Sequence, residues 1–483
     1  MLRKQDEMIL SEYSKLYDIV VPKDNELRKL KELVDFSFIY DELTTNYSIN
    51  HGRTAIDPIR MFKYLLLKVI YDLSDVDIVK RSQYDMSFKF FLDMAPEEDI
   101  INPSSLTKFR RLRLKNIDIL DMLIQKSVSI ANEHDLLKSE TLILDATHSQ
   151  SRYNVYSTKQ LLNKRNNQIK KSISKIFNID IKTPKFDDIT SEEAVEKSKT
   201  FLNNLKTNEK YINIPDISKS INLLEEAIED SEFSTQHSYD NEARIGHKSK
   251  DSSFYGYKTH IAMDENRIIT AATVSTGEKA DGKELNQLLK KSLENGVKVS
   301  TIVGDGAYSS KTNLNLCKEK KIDLVSKLNP SVTHGYRKEE NKFEFNKDAN
   351  MYICPAGHLA VRKARTGKKN QSTNQCLTYY FDIEKCKVCP FKEGCYKRNA
   401  KSKTYSVSIK SKTHFEQMEF MKTEKFKLIS KKRYMIEAKN SELKNRHGMK
   451  SSKYAGLLNM EMQAAATIFV VNLKRIIKLI GLK

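Results

Sequence analysis

The chain has 483 residues, 39% hydrophobic and 30% charged, and its 83 Lys and Arg exceed its 63 Asp and Glu by 20. That length suits about three domains with a real core, and a pI near 9.3 points to a polyanionic partner, most simply nucleic acid, although abundant Lys, Asn and Ile mean that part of the charge is general composition. Met1–Glu7 is charged with no apolar core behind it, Ala464–Val471 is too short to span a bilayer, and the cysteines are few and late, so a signal peptide, a membrane span and a secreted disulfide scaffold are not expected; the reading is a soluble, cytoplasmic, nucleoid-associated bacterial protein.

Residues 1–50 mix charge with helix-type periodicity and give no firm element. Asp57-Pro58 reads as an N-cap and first helical residue. The helix should run to about Tyr71, burying Met61, Leu65 and Val69. Ser74-x-x-Asp77 is a capping-box-like start for a second helix. Asn102-Pro103-Ser-Ser starts a third, which carries Lys108, Arg110, Arg111, Arg113 and Lys115. Three helices ending in a basic one resemble a helix-turn-helix module whose last helix meets DNA; the alternative is a small helical domain packed on the remainder. Residues 1–130 are therefore expected to form an all-α DNA-binding domain, with Arg110, Arg111 and Arg113 as candidate contacts.

Thr141–Ser151 begins with strand-type residues that run into Asp145 and then turn polar. It reads as a buried central strand with a carboxylate at its carboxyl end, where ligands of open α/β sheets gather; a turn cap is the plainer alternative. From Asn154 to Ser238 the chain is rich in Lys, Glu, Asn and Ser, with stripes at Leu162, Ile169, Ile173, Ile176 and at Ile217, Ile221, Leu224, Ile228. Two or three amphipathic helices are expected there, inserted in the core as a dimer contact, a clamp on DNA or a solvated excursion.

The core, 138–153 and 239–329, resumes with the alternating run Phe254–Met263 and a hairpin partner at Ile268–Val274. A helix at Asp281–Leu293 precedes a second strand, Val299–Gly304, that ends at Asp305 between Gly304 and Gly306, where glycines allow a tight turn. Ile322–Leu328 is a further strand. Lys258 is a candidate DNA contact and His260 a packing residue. Two strand-end carboxylates facing each other are unfavourable without a cation between them, and an oxygen-only site suits Mg²⁺ or Mn²⁺.

Residues 330–420 hold five of the six cysteines. Cys354-Pro-x-Gly-His358, Cys386-x2-Cys389 and Cys395 supply four thiolates at spacings that suit a tetrahedral zinc, with His358 as a substitute ligand; reduced structural cysteines or a disulfide are the alternatives. Cys317 and Cys376 are bystanders, and Lys363, Arg365, Lys368 and Lys369 suit phosphate contact. In the last part, 421–483, Lys431–Gly448 is a helix with a Gly stop. Arg433, Glu437, Asn440 and Lys444 fall 4, 3 and 4 apart on one face. This is either an exposed ion-paired helix or an acidic ligand inside a basic stripe that holds a metal and a polyanion together. Met460–Leu482 closes the core as an amphipathic helix.

Taken together, Asp145-Ala-Thr147, Gly304-Asp305-Gly306-Ala-Tyr308 and Arg433-x3-Glu437-x6-Lys444 resemble a DDE transposase of bacterial insertion sequences, in the eleven-eighty-two branch of the four/five group. Asp240-x2-Ala243-Arg244-x-Gly246, Phe254-Tyr-Gly-Tyr-Lys258-x-His260 and Gly52-Arg53-x3-Asp57-Pro58 match that branch too. The family's Tyr three residues before the Arg is Ser430 here, which bears on stacking or positioning and not on the metal ligands. The resemblance implies a ribonuclease-H-like α/β core: a mixed sheet flanked by helices, with helical and Cys-rich insertions and an all-α N-terminal domain. It implies Asp145, Asp305 and Glu437 as catalytic ligands of two Mg²⁺ or Mn²⁺ ions, and Arg433, Asn440 and Lys444 as contacts to DNA. It also implies binding of terminal inverted repeats and target DNA as a homodimer or larger, with strand cleavage and strand transfer. An inactive or domesticated DNA-binding relative, and a nuclease of the same fold that cuts without joining, are the alternatives.

Overall fold

The computed structural model describes residues 11–47, 54–115, 117–153, 156–233, 236–247, 252–329, 343–346, 348–366, 375–397, 400–408 and 411–482. Gly52 and Arg53 of the front motif, and Lys368 and Lys369, lie outside them.

The front of the chain is helical: α1 Leu16–Val20, α2 Glu26–Leu33, α3 Ser37–Leu43, α4 Pro58–Tyr71, α5 Asp75–Arg81, α6 Met86–Phe91, α7 Ser104–Leu112 and α8 Ile119–Glu133. Local chemistry starts several of these helices. The Asp57 carboxylate accepts from the Ile59 amide with Pro58 at the first helical position, and Ser74 Oγ accepts from the Asp77 amide at 3.1 Å. The buried faces of these helices do not close on themselves. Phe62, Leu67, Phe88, Phe91 and Leu123 share one cluster with Ile143, Ile261 and Ile269 of the sheet and with Ile468, Phe469 and Leu473 of the C-terminal helix Leu457–Ile480. Buried Asn472 ties this junction together: it donates to Ser127 Oγ and the Ile269 carbonyl and accepts from the Ile269 amide. The helical front is packed against the core over a continuous apolar surface.

Next come β1 Thr141–Gln150, a short pair β2 Tyr156–Ser157 with β3 Gln236–His237, then β4 Arg244–His247, β5 Ser253–Met263, β6 Ile269–Thr276, β7 Thr301–Val303 and β8 Asp323–Val325. The mixed sheet has the order β4-β5-β1-β7-β8, with β6 also paired to β5. β1 is antiparallel to β5 through Gln150 but parallel to β7 only over Thr141–Ile143. Alternation along β1 sends Ile143 to the helical front, and Leu142 and Leu144 to the opposite layer. That layer is built by α13 Leu285–Glu294 and α14 Lys311–Glu319. The strand expected to stop at Asp145 continues five residues further, because β5 supplies partners to its end. The strand expected at Ile322–Leu328 is only Asp323–Val325, and the helix expected from Asp281 begins as a 3-10 turn, Asp281–Glu284.

Between β2 and β3 stand α9 Thr158–Phe177, α10 Ser191–Lys206, α11 Glu209–Ile212 and α12 Pro215–Phe233. Capping boxes at Ser157/Gln160 and Thr190/Glu193 start α9 and α10. This bundle has its own core, including Leu162, Ile169, Ile173, Ile217, Ile221, Leu224 and Ile228. Ile176, expected in the same stripe, is 42% exposed, and Phe177, four residues after Ile173, packs against the bundle core instead. Further on, two small sheets, β9 Glu344–Asn346 with β10 Met351–Ile353 and β11 Arg362–Thr366 with β12 Cys376–Phe381 and β13 Lys403–Ser408, precede helices Lys412–Lys422, Glu424–Ser430 and Tyr434–Arg446. Among the described residues no helix is long and apolar enough to cross a membrane.

Candidate active site

The pairing of β1 with β7 ends at Ile143 opposite Val303. Two residues on, Asp145 lies within β1, and Asp305 lies two residues past the end of β7 as the cap of the 3-10 turn Gly306–Tyr308; the two strands are about 4.8 Å apart where they pair. Beyond that point, among the described residues, β1 has no strand partner on its β7 side until Gln150, which bridges in parallel to Ser451. The Tyr434–Arg446 helix reaches it there: Asn440 Nδ2 donates to Asp145 Oδ2 at 3.0 Å, and Lys444 Nζ stands 3.4 Å from His148 Nδ1. Glu437 is three residues before Asn440, so it shares that face about 4.5 Å further along the axis. Its side chain is 58% exposed and pairs with Arg433 at 3.2 Å.

Burial pushes the Asp145 carboxyl up to about 6; the Ala146 amide and Arg433 pull it down, while Asp305 and Asp281 push it further up. Asp305 accepts from the Ala307 amide at 2.9 Å, which holds the 3-10 turn Gly306–Tyr308 beside it. Among the described residues, Asn440 Oδ1 and the fully buried Tyr308 hydroxyl have no hydrogen-bond partner. Among the described residues, no three of His, Cys, Asp or Glu are close enough as placed to hold a metal ion, Asp145, Asp305 and Glu437 included.

Sequence reasoning missed Asp281 as a neighbour of this site and gave Tyr308 no role. Asp281, Asp145, Asp305 and Glu284 are the carboxylates whose charge reaches the Tyr308 hydroxyl. The Asp281 turn is pressed onto the Asp305 turn: a Cβ on Gly282 would lie 2.2 Å from the Ala307 carbonyl oxygen, and Asn313 Nδ2 donates to both the Gly282 and Tyr308 carbonyls. A glycine directly after an acid, at the start of a helix, was the signal available.

Several expected DNA contacts are committed elsewhere. Lys258 Nζ donates to the Lys279 carbonyl at 2.9 Å and to Asp281 at 2.8 Å, so its charge serves the acidic site internally. His260 is buried, bonded through Nε2 to Ser275 Oγ at 2.8 Å, and burial lowers its pKa to about 4, which keeps it neutral. Arg110 is buried in an ion pair with Asp75, which also holds Lys68, and lies over Tyr454. Arg113 donates to the Asn46 carbonyl and covers Tyr47. In this structure both side chains make internal contacts, Arg110 from the inward face of α7 and Arg113 from its C-terminal cap. Lys108, Arg111 and Lys115 remain exposed.

Cys354, Cys386, Cys389 and Cys395 are brought to one cavity with His358, and all six cysteines are free thiols. Cys317 is buried in the layer of α13 and α14 and does not line that cavity.

Residues 225–473, slightly more than half of the chain, match a family described as Transposase DDE domain, and residues 15–112 match one described as Transposase domain (DUF772). The first match includes Asp305, Glu437 and the Tyr434–Arg446 helix; it begins within α12, after the strand that bears Asp145. No curated protein matches the chain.

Proposed function

Because the chain belongs to the family of transposases with a DDE domain, and so is an enzyme acting on DNA, we propose that it binds the ends of a bacterial insertion sequence, cleaves DNA there and transfers the ends to a target. The observation that supports this reading is that Asp145 and Asp305 each follow by two residues the last paired positions of β1 and β7, Ile143 and Val303, with the Glu437 helix docked on Asp145 through Asn440. The core is read as ribonuclease-H-like, with the α9–α12 bundle and the Cys-rich segment as insertions.

The donor set fits a hard divalent cation: the side chains are oxygen donors, a buried carboxyl has its pKa raised by burial, and the charges of three further acids bear on one unpartnered hydroxyl. Asp145, Asp305 and Glu437 would hold Mg²⁺ or Mn²⁺ as two ions, which when bound supply charge stabilisation to the attacking and leaving oxygens of an in-line displacement. Glu437 contributes by turning from Arg433 toward the site on the face it shares with Asn440. Arg433, released from that pair, and Lys444, two helical turns along, are placed to hold phosphates. Asn440 keeps the Asp145 carboxylate oriented, and Lys258 offsets the charge of Asp281. Exposed Lys108, Arg111 and Lys115 extend the basic surface on the helical front. Juxtaposing two ends requires a dimer or larger assembly.

The test is cleavage and joining of labelled DNA carrying the gene's flanking ends, with Mg²⁺ and with EDTA, for wild type and Glu437→Ala. Metal-dependent cutting and joining, lost in the variant, is expected. Cutting without joining would make the protein a nuclease, and binding without either reaction an inactive relative.

A further inference from the structure

The Cys-rich segment is poor in the usual means of stability. Among its described residues the buried apolar side chains are Phe343, Ala360, Tyr379 and Phe381, against eleven in the α9–α12 bundle. Segments with so little core rely on a staple, either disulfides or a metal. Its cysteines are free, yet four of them line the same cavity.

Two tight turns present these thiols. In the first, the Cys354 carbonyl accepts from the Gly357 amide at 2.8 Å, and the Cys354 amide donates to the His358 carbonyl at 2.9 Å. Gly357 has φ +81°, which a side chain would strain. In the second, the Cys386 carbonyl accepts from the Cys389 amide at 3.4 Å. Cys395 follows on the same wall, its carbonyl bonded by Lys403 Nζ. Four thiols gathered in one cavity repel each other once ionised, unless a soft cation lies among them.

We propose that Cys354, Cys386, Cys389 and Cys395 bind one structural Zn²⁺ that staples the 343–408 segment. Four thiols lose four protons and form four Zn–S bonds, leaving a site of net charge −2 that Lys403 partly offsets. As placed, no three of these donors meet at one point; binding draws the two turns together. No redox step is involved, and the DNA chemistry does not enter.

Metal analysis of the full chain, purified without added metal and with zinc present in the growth medium, tests this. About one zinc per chain is expected for wild type and for Cys317→Ser and Cys376→Ser, and below about a tenth for Cys386→Ser/Cys389→Ser. Should the double variant fail to fold, wild type refolded with Co²⁺ decides instead, since thiolate ligation produces intense sulfur-to-cobalt charge-transfer absorption. Wild type that takes up no zinc or Co²⁺ and leaves all four thiols open to a thiol reagent in the native state would overturn the proposal. So would a double variant that keeps its zinc. Asp145→Asn should retain the metal, so this result and that of the DNA assay are independent.

Discussion

Asp145→Asn should stabilise the metal-free protein above pH 6 while removing its chemistry. Folding lifts the Asp145 carboxyl from 3.8 to about 6, first through burial and then through Asp305 and Asp281. The folded state therefore keeps a proton that the unfolded chain releases. Stability falls as pH rises from about 4 to about 6, and the full penalty persists above that. Two units at about 1.36 kcal/mol each give ~3 kcal/mol, and partial solvent screening reduces this to about 1–3 kcal/mol. Asparagine keeps the size of the side chain and carries no such charge. The assay is thermal unfolding of both proteins in EDTA at pH 4.5 and pH 8. The difference should be about a third of its full size at the lower pH, and the variant should melt a few degrees higher at pH 8. Adding Mg²⁺ should reverse the order, because a cation that binds only the folded wild type stabilises it alone. Equal melting in EDTA at pH 8 would refute the claim that Asp145 is held in a charge-poor, carboxylate-crowded site.

Arg110→Ala leaves Asp75 with Lys68 alone and should cost about 1–3 kcal/mol, whereas exposed Arg111→Ala should cost under about 0.5 kcal/mol and instead flatten the salt dependence of DNA binding, as denaturant melts and binding titrations would show. Gly282→Ala places a Cβ 2.2 Å from the Ala307 oxygen and should displace the Asp305 turn; DNA cleavage should fall by about tenfold or more with helix content by circular dichroism unchanged. Leu224→Ala opens a cavity in the core of the inserted bundle and should cost about 2–5 kcal/mol, seen as earlier proteolysis within 158–233 with the sheet intact.

Much of the molecule is legible in local chemistry alone. Asp57-Pro58 and Ser74 start their helices by hydrogen bonds within a few residues, so sequence suffices. The stripes at Leu162–Ile173 and Ile217–Ile228 are period-3.6 patterns whose burial follows once the helices pair. The acids at Asp145 and Asp305 stand out because each follows a short apolar run. What sequence cannot carry is partnership across the chain. β1 runs past Asp145 because β5, more than a hundred residues later, extends beside it, while β7 stops short and leaves the edge on which the Glu437 helix docks. A lysine or arginine looks the same in sequence whether it faces solvent or an acid: Arg111 is exposed, but Arg110 answers Asp75, and Lys258 answers Asp281. Asp281 joins the site only because Gly282 lets its turn lie on that of Asp305. Periodicity and capping act over one helical turn and survive in the sequence; charge pairing and strand neighbours act through space, and only the folded chain assigns them.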